Sequence, residues 1–262
     1  MSDNRIIIAT FNLRRDCISD GINRWRYRKD AVISTIRSFG ADIVGVQELT
    51  PKMKKDIESE LPEFMFIGAS RSKGRASEHN DLLVRRDRLY VENSSTFWLS
   101  STPDKVGSRR WPAIFPRICT TAFLKDSNGK IIRVMNTHFD NFSRIAREFS
   151  AKFIKDRVSS GDDGIPTIVM GDLNTTPDSR AIKLLTDGGL LRDAVRDFFD
   201  NKKWDLLSTF HSFSGIPSEK SGVIDYILVN SNISITDVRL YQKDVDGVYP
   251  SDHFPIVAEL TY

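Results

Sequence analysis

Short apolar runs rich in Ile and Val recur from residue 6 to residue 260 and far outnumber the stretches with helical periodicity. Residues 6–11, 42–48, 64–68, 81–85, 89–98, 117–124, 130–137, 166–170, 223–229, 233–241 and 254–260 read as strands. Helical spacing appears between them, over 27–39 (stopped by Gly40), 50–60 (opened by Thr50-Pro51), 143–158, and from Thr176-Pro177-Asp178 to about 185. Asp126-Ser127-Asn128-Gly129 separates two strands as a hairpin turn. Strands that dominate while helices serve as crossovers in both halves fit two packed mixed sheets with helices outside them. They fit a purely parallel, doubly wound sheet less well. The expected class is α/β (α+β). No repeat, low-complexity stretch or linker interrupts it, so a single domain over residues 1–262 is expected.

At this length a large core needs no staples. The two cysteines, Cys17 and Cys119, lack CxxC partners and read as free thiols in a reducing compartment. No run approaches the roughly 20 apolar residues of a membrane span, and no signal-peptide pattern opens the chain, so a cytoplasmic location is expected. A net charge of +3, from 38 Lys and Arg against 35 Asp and Glu, does not identify a partner. Its distribution is more telling, because residues 105–117 hold Lys105, Arg109, Arg110 and Arg117 with no acid, and Arg71, Lys73 and Arg75 form a second basic cluster. Such clusters suit phosphate-bearing ligands.

The apolar runs also share their endings. Asn12, Glu48, Asn136-Thr137-His138, Asp172-Leu173-Asn174, Asp225 and Asp252-His253 each sit at or just beyond a strand-like run. Strand ends on one edge of a sheet are where binding groups converge on a rigid platform. Each residue alone has a structural explanation as a turn, cap or buried pair, but the conjunction at six strand ends does not. Hard oxygen donors without a Cys/His set point to Mg²⁺ or Mn²⁺. Histidines beside acids supply a general base and donors to a charged transition state. Together these groups suit attack of water on a phosphoester. No phosphate loop, GxSxG elbow or HExxH pair argues for other chemistry.

Thr10-Phe11-Asn12-Leu13-Arg14, Val46-Gln47-Glu48-Leu49, Asn136-Thr137-His138, Gly171-Asp172-Leu173-Asn174, Ile224-Asp225-Tyr226-Ile227 and Ser251-Asp252-His253 follow one another in a set order. In that order the chain resembles the endonuclease/exonuclease/phosphatase superfamily over residues 5–260. The resemblance implies a deoxyribonuclease I-like, four-layer sandwich of two mixed sheets flanked by helices. It implies Glu48 as the main metal ligand, with Asn12 and Asp252 assisting. His253 would be the base or hold the attacking water, with Asp225 orienting it, and the choice of base between His253 and Asp172 stays open. Asp172 and Asn174 would place water and phosphate, and His138, paired to Glu78, would stabilise phosphoryl charge. Asp140 is a further candidate for the site, or else the cap of the helix near Ser143. One departure is Val223, where many relatives carry a basic residue.

Residues 97–100 and 116–120 further resemble a bacterial branch with sugar-phosphate phosphatase-like members. Trp111 and Phe115 among Arg109, Arg110 and Arg117 then suggest a ring-binding surface beside phosphate donors. The leading expectation is a phosphatase for a small phosphorylated molecule, and the alternative is a Mg-dependent nuclease on DNA or RNA. A non-catalytic module is disfavoured because every core site residue is present. No membrane or obligate protein partner is evident. Trp25, Arg28, Trp98 and Trp204 are expected in packing, and His79 and His211 at the surface or in loops, with His211 able to edge the pocket.

Overall fold

The computed structural model describes residues 4–74, 77–160, 164–199, 208–218 and 222–262. Trp204 and Arg75 lie outside them. In chain order the strands are β1 (Arg5–Asn12), β2 (Ile43–Gln47), β3 (Phe64–Ile67), β4 (Leu82–Arg85), β5 (Tyr90–Trp98) and β6 (Ile118–Lys125). They continue with β7 (Ile131–His138), β8 (Thr167–Asp172), β9 (Arg192–Asp193), β10 (Asp225–Val229), β11 (Ser234–Leu240) and β12 (Ile256–Thr261). The helices are α1 (Trp25–Ser38), α2 (Pro51–Glu60), α3 (Arg144–Ser159), α4 (Arg180–Thr186) and α5 (Ala194–Phe198). One six-stranded sheet runs β11-β12-β1-β2-β4-β3 and the other β5-β6-β7-β8-β10-β9. Both are mixed, because β1 pairs with β2 and β7 with β8 in parallel while their other neighbours are antiparallel.

Strand alternation sets the layers. In β1, Ile6 and Ile8 enter the larger core shared with β7 residues Ile132 and Val134, whereas Ala9 and Phe11 enter a second core with α1 residues Trp25, Val32 and Ile36 and α2 residues Met53 and Ile57. On the other side, α3 packs Ala151, Ile154 and Val158 against the second sheet, and Arg133 of β7 donates to the carbonyls of Arg157 and Val158. The result is the expected four layers, helix, sheet, sheet, helix.

Helix starts follow the expected chemistry. The Thr50 side chain accepts from Met53 N with Pro51 at the first helical position, and the Ser143 side chain accepts from Ala146 N. The helix expected from Thr176 begins later, at Arg180, because Ser179 is the residue that caps it, accepting from Ile182 N. Two short elements carry too little periodicity to be read from sequence: β9, of two residues, and α5, capped by Asp193.

A polar clasp joins the sheets near one end of the sandwich. Gln47 Nε2 donates to Asn136 Oδ1 at 2.7 Å, and Asn136 Nδ2 donates to the carbonyls of Val46 and Asp81 at 2.9 and 2.8 Å. Both side chains are fully buried, and a buried amide costs several kcal/mol unless it is paired in this way. Asn136, at a strand end, therefore fixes one sheet on the other rather than joining the site.

Candidate active site

Strand register builds the site. In the second sheet His138 pairs with Asp172 across β7 and β8, and Asp172 pairs with Asp225 across β8 and β10, so three functional side chains stand side by side. Gly171, the residue before Asp172, permits that pairing. Its φ is +140°, and a Cβ there would stand 1.8 Å from the Thr137 carbonyl oxygen. In the first sheet Asn12 lies opposite Gln47, which places Glu48 beside the end of β1. Ser251-Asp252-His253, just before β12, is tied to the same place because Ser251 Oγ donates to the Asn12 carbonyl at 2.6 Å.

The two halves meet at one carboxylate oxygen. Asn12 Nδ2 donates to Asp172 Oδ2 at 2.9 Å and to Glu48 Oε1 at 3.4 Å. The same Asp172 oxygen stands 3.6 Å from His138 Nε2 and 3.9 Å from His253 Nε2. His253 Nδ1 is 2.9 Å from Asp225 Oδ2, which orients the imidazole. Asp172 Oδ1 accepts from Asn174 N at 2.8 Å. Arg14, Glu48 and Asn174 have φ of +52°, +57° and +50°. Three non-glycine residues in the left-handed region, each costing about 1–2 kcal/mol, mark a backbone held in place by its surroundings.

Burial is the largest influence on these groups and sets the direction for Asp172 and His138, whereas at His253 the neighbouring carboxylates override it. Burial raises the Asp172 pKa to about 7, and the Asp225 charge adds to the rise while His253 and the hydrogen bonds from Asn12 and Asn174 oppose it. Burial acts to lower the pKa of His253. Asp225, through charge and hydrogen bond, with Asp172 and Asp252, outweighs it and lifts the value to about 10. His138 goes the other way: burial, then the positive fields of Arg117, Arg71 and His253, hold it well below the ordinary value. It is a neutral imidazole, fit to donate a hydrogen bond rather than to carry charge.

Behind this cluster, Arg28 is fully buried and, among the described residues, donates to main-chain carbonyls alone, those of Leu13 (2.5 Å), Pro250 (2.9 Å), Asn23 (2.9 Å) and Arg14. It fastens the loop after β1 to the residue preceding Ser251-Asp252-His253, so the expected packing role holds and extends to the site. Trp25 and Trp98 are buried, also as expected.

A cavity of about 450 Å³ opens over the cluster. Glu48, Asp172, Asn174, Asp252, His138 and His253 line it, and so do Glu78 and Arg117 among the expected substrate contacts. Asp225 stands behind His253. Sequence reasoning missed Arg15, Asn141, Phe210 and Ser212 as lining residues. Arg14, within the Thr10–Arg14 motif, and Arg71, within the second basic cluster, line the cavity as well.

Several expectations change. Glu78 does not pair with His138; Arg71 holds both of its oxygens at 2.8 Å. Asp140 does not line the cavity; it closes the turn that leads into α3, accepting from Phe142 N and from the N of the capping Ser143. Trp111 is 77% exposed and Arg109 donates to the Ile114 carbonyl, and neither lines the cavity. An aromatic among arginines reads the same in sequence at an exposed loop tip as at a binding wall. Asn12 presents a donor nitrogen to the carboxylates while its oxygen accepts from Arg14 N, so in this arrangement it spaces them rather than offering an oxygen ligand. His211 is buried and stacked on Phe254 at 3.8 Å, and His79 faces Asp81 at 3.3 Å.

Asp172, Asp225 and His253 place ligand atoms within 4.8 Å of one another. Asp225 Oδ1 is buried with no hydrogen-bond partner among the described residues. An orphaned carboxylate oxygen among hard donors fits a divalent cation such as Mg²⁺ or Mn²⁺.

The sequence profile of the endonuclease/exonuclease/phosphatase family matches residues 9–253. The chain belongs to this family. It is therefore an enzyme of the family's hydrolase type, a phosphatase or nuclease acting on phosphoesters. A family structure from Bacteroides vulgatus is 36% identical, with 98% of each chain covered and a TM-score of 0.88. A mannosyl-6-phosphatase from Bacteroides thetaiotaomicron is 27% identical over 98% of this chain and 100% of its own, with a TM-score of 0.89. Among curated sequences, a CCR4-NOT transcription complex subunit 6-like protein of Danio rerio is 22% identical over 97% of this chain. The chain spans 60% of that protein's length and about half of the curated relatives that follow it. No helix among the described residues is long and apolar enough to cross a membrane.

Proposed function

We propose that this family member is a divalent-metal-dependent phosphatase that releases phosphate from a small phosphorylated molecule, a sugar phosphate by preference. The observation that carries the reading is the cavity of about 450 Å³ lined together by the acid–imidazole cluster, Arg117 and Phe115. That volume suits a small ligand. Phe115 offers a surface for a ring, and the Arg71 guanidinium packs 5.1 Å from its centroid. The likeness to a mannosyl-6-phosphatase over nearly the whole chain supports the same class of substrate.

In this reading Asp172 and Asp225, with Glu48 linked to them through Asn12, hold Mg²⁺ or Mn²⁺, and Asp252 completes the acidic surround. Bound there, the cation supplies positive charge against the carboxylates and against the charge developing on the phosphoryl oxygens. The His253–Asp172 pair takes the proton of the attacking water, with Asp225 fixing the ring at Nδ1. Neutral His138 donates a hydrogen bond to a phosphoryl oxygen, and Asn174 positions the phosphate. The second reading, a nuclease on DNA or RNA, draws support from Arg14, Arg15, Arg71 and Arg117 along the cavity, which would also grip a nucleic-acid backbone.

One set of assays tests both. Chelation by EDTA is expected to abolish phosphate release from sugar phosphates, and Mg²⁺ or Mn²⁺ to restore it. Run beside it, labelled single- and double-stranded DNA and RNA are expected to remain intact. Cleavage of nucleic acid with no phosphate released from sugar phosphates would replace the first reading with the second.

A further inference from the structure

The rim of the cavity carries an unusual surface. Four segments contribute lining residues: 13–27 through Arg14 and Arg15, 99–117 through Phe115 and Arg117, 139–149 through Asn141, and 208–218 through Phe210 and Ser212. Ten of the twelve large apolar side chains exposed among the described residues fall in these segments, so the apolar exposure is concentrated in the stretches of chain that reach the cavity. Ile18 and Ile22 are 83% and 85% exposed, Ile216 is 72% exposed, and Trp111, Ile114 and Phe142 also project into solvent. The Arg14–Asp20 ion pair at 2.8 Å holds the Ile18–Ile22 turn against a cavity residue. Exposed apolar side chains gathered in the segments that border a site are a mark of an interaction surface.

Composition narrows the occupant. The same segments contain ten Arg and Lys against five Asp and Glu, whereas the whole chain is nearly balanced at 38 against 35. The surface is apolar and cationic together. Six of the ten protruding side chains, the two most exposed among them, are Ile or Val, which have no flat face on which to stack a base or a sugar. Isoleucine and tryptophan tips among arginines suit shallow insertion between acyl chains while the guanidinium groups meet anionic headgroups. A flat protein partner resting on these tips would cap the cavity, whereas a lipid surface presents phosphate-bearing headgroups to it.

We propose that this face docks on an anionic phospholipid surface, with the cavity mouth turned toward the headgroups. The inference goes beyond the proposed phosphatase activity and is measured without turnover, so either can fail alone. The test is co-sedimentation of the full chain with vesicles of phosphatidylcholine alone and with vesicles that also contain phosphatidylglycerol. Binding is expected to the second kind and to weaken with added salt. Replacing Ile18 and Ile22 together by Ser (Ile18→Ser, Ile22→Ser) is expected to weaken it by about tenfold or more. The melting temperature and the hydrolysis of soluble p-nitrophenyl phosphate are expected to stay unchanged. Absence of binding to either vesicle overturns the proposal, as does vesicle binding indifferent to the double substitution. Binding of a single-stranded oligonucleotide, or self-association, lost on the same double substitution without vesicle binding, overturns it in favour of that occupant.

Discussion

His253→Ala is expected to lower phosphomonoester turnover by about 10²–10⁴-fold at saturating substrate, the range of a positioned acid–base group. The ring is anchored at Nδ1 by Asp225 and stands 3.9 Å from Asp172 through Nε2, so its removal takes away the proton-carrying partner of Asp172 and leaves Asp225 without its neighbour. Asp225→Asn tests the same unit more gently, because the amide keeps the volume while removing the charge that sets the imidazole and that would face the cation. It is expected to reduce kcat strongly with little change in KM. Steady-state kinetics with Mg²⁺ present, beside thermal melts of both variants, separates lost chemistry from lost folding. A His253→Ala protein that keeps more than about a tenth of wild-type turnover would remove His253 from the reaction.

The second large effect is on stability. Gly171→Ala places a methyl 1.8 Å from the Thr137 carbonyl oxygen, in a backbone conformation with φ of +140°. The obstacle is main chain rather than a flexible side chain, so the parallel pairing of β7 and β8 has to open for the methyl to fit. A cost of about 3–5 kcal/mol is expected, with a fall in melting temperature of roughly 6–20 °C. Gly129→Ala is the control. Its φ of +83° is also left-handed, but nothing stands within 4 Å of an added Cβ, and only the backbone penalty of about 1–2 kcal/mol applies. Equal effects of the two substitutions would mean that β7 and β8 can separate freely at this point.

Much of this architecture was legible because it rests on periodicity and on motif order. The apolar, β-branched run from Ile6 to Phe11 marked a strand, and the family resemblance supplied the sandwich. Asn12, Glu48, His138, Asp172, Asn174, Asp252 and His253 could be gathered because each ends or follows an apolar run, and such ends meet at one rim. What stayed hidden depends on side-chain direction. Asn136 carries the same strand-end signature as His138 and shares its face of the strand, yet two residues further from the strand end it meets Gln47 of the other sheet instead of the cavity. Glu78 could be placed near the site, but its capture by Arg71 rather than His138 depends on how a loop folds back. Trp111 and Phe115, four residues apart on one loop, have different fates, and only Phe115 reaches the cavity. Arg28 looked like an ordinary helix residue because its partners are carbonyls, which leave no trace in a sequence.

The bond from Asn12 to Asp172 crosses from one sheet to the other, and so does the contact of His253 with Asp225. Catalysis is thus seated on a seam. A slip of about an ångström between the halves can cost a hundredfold in rate. Substitutions deep in either core, far from any phosphate, will register first as lost turnover in a molecule that is still folded.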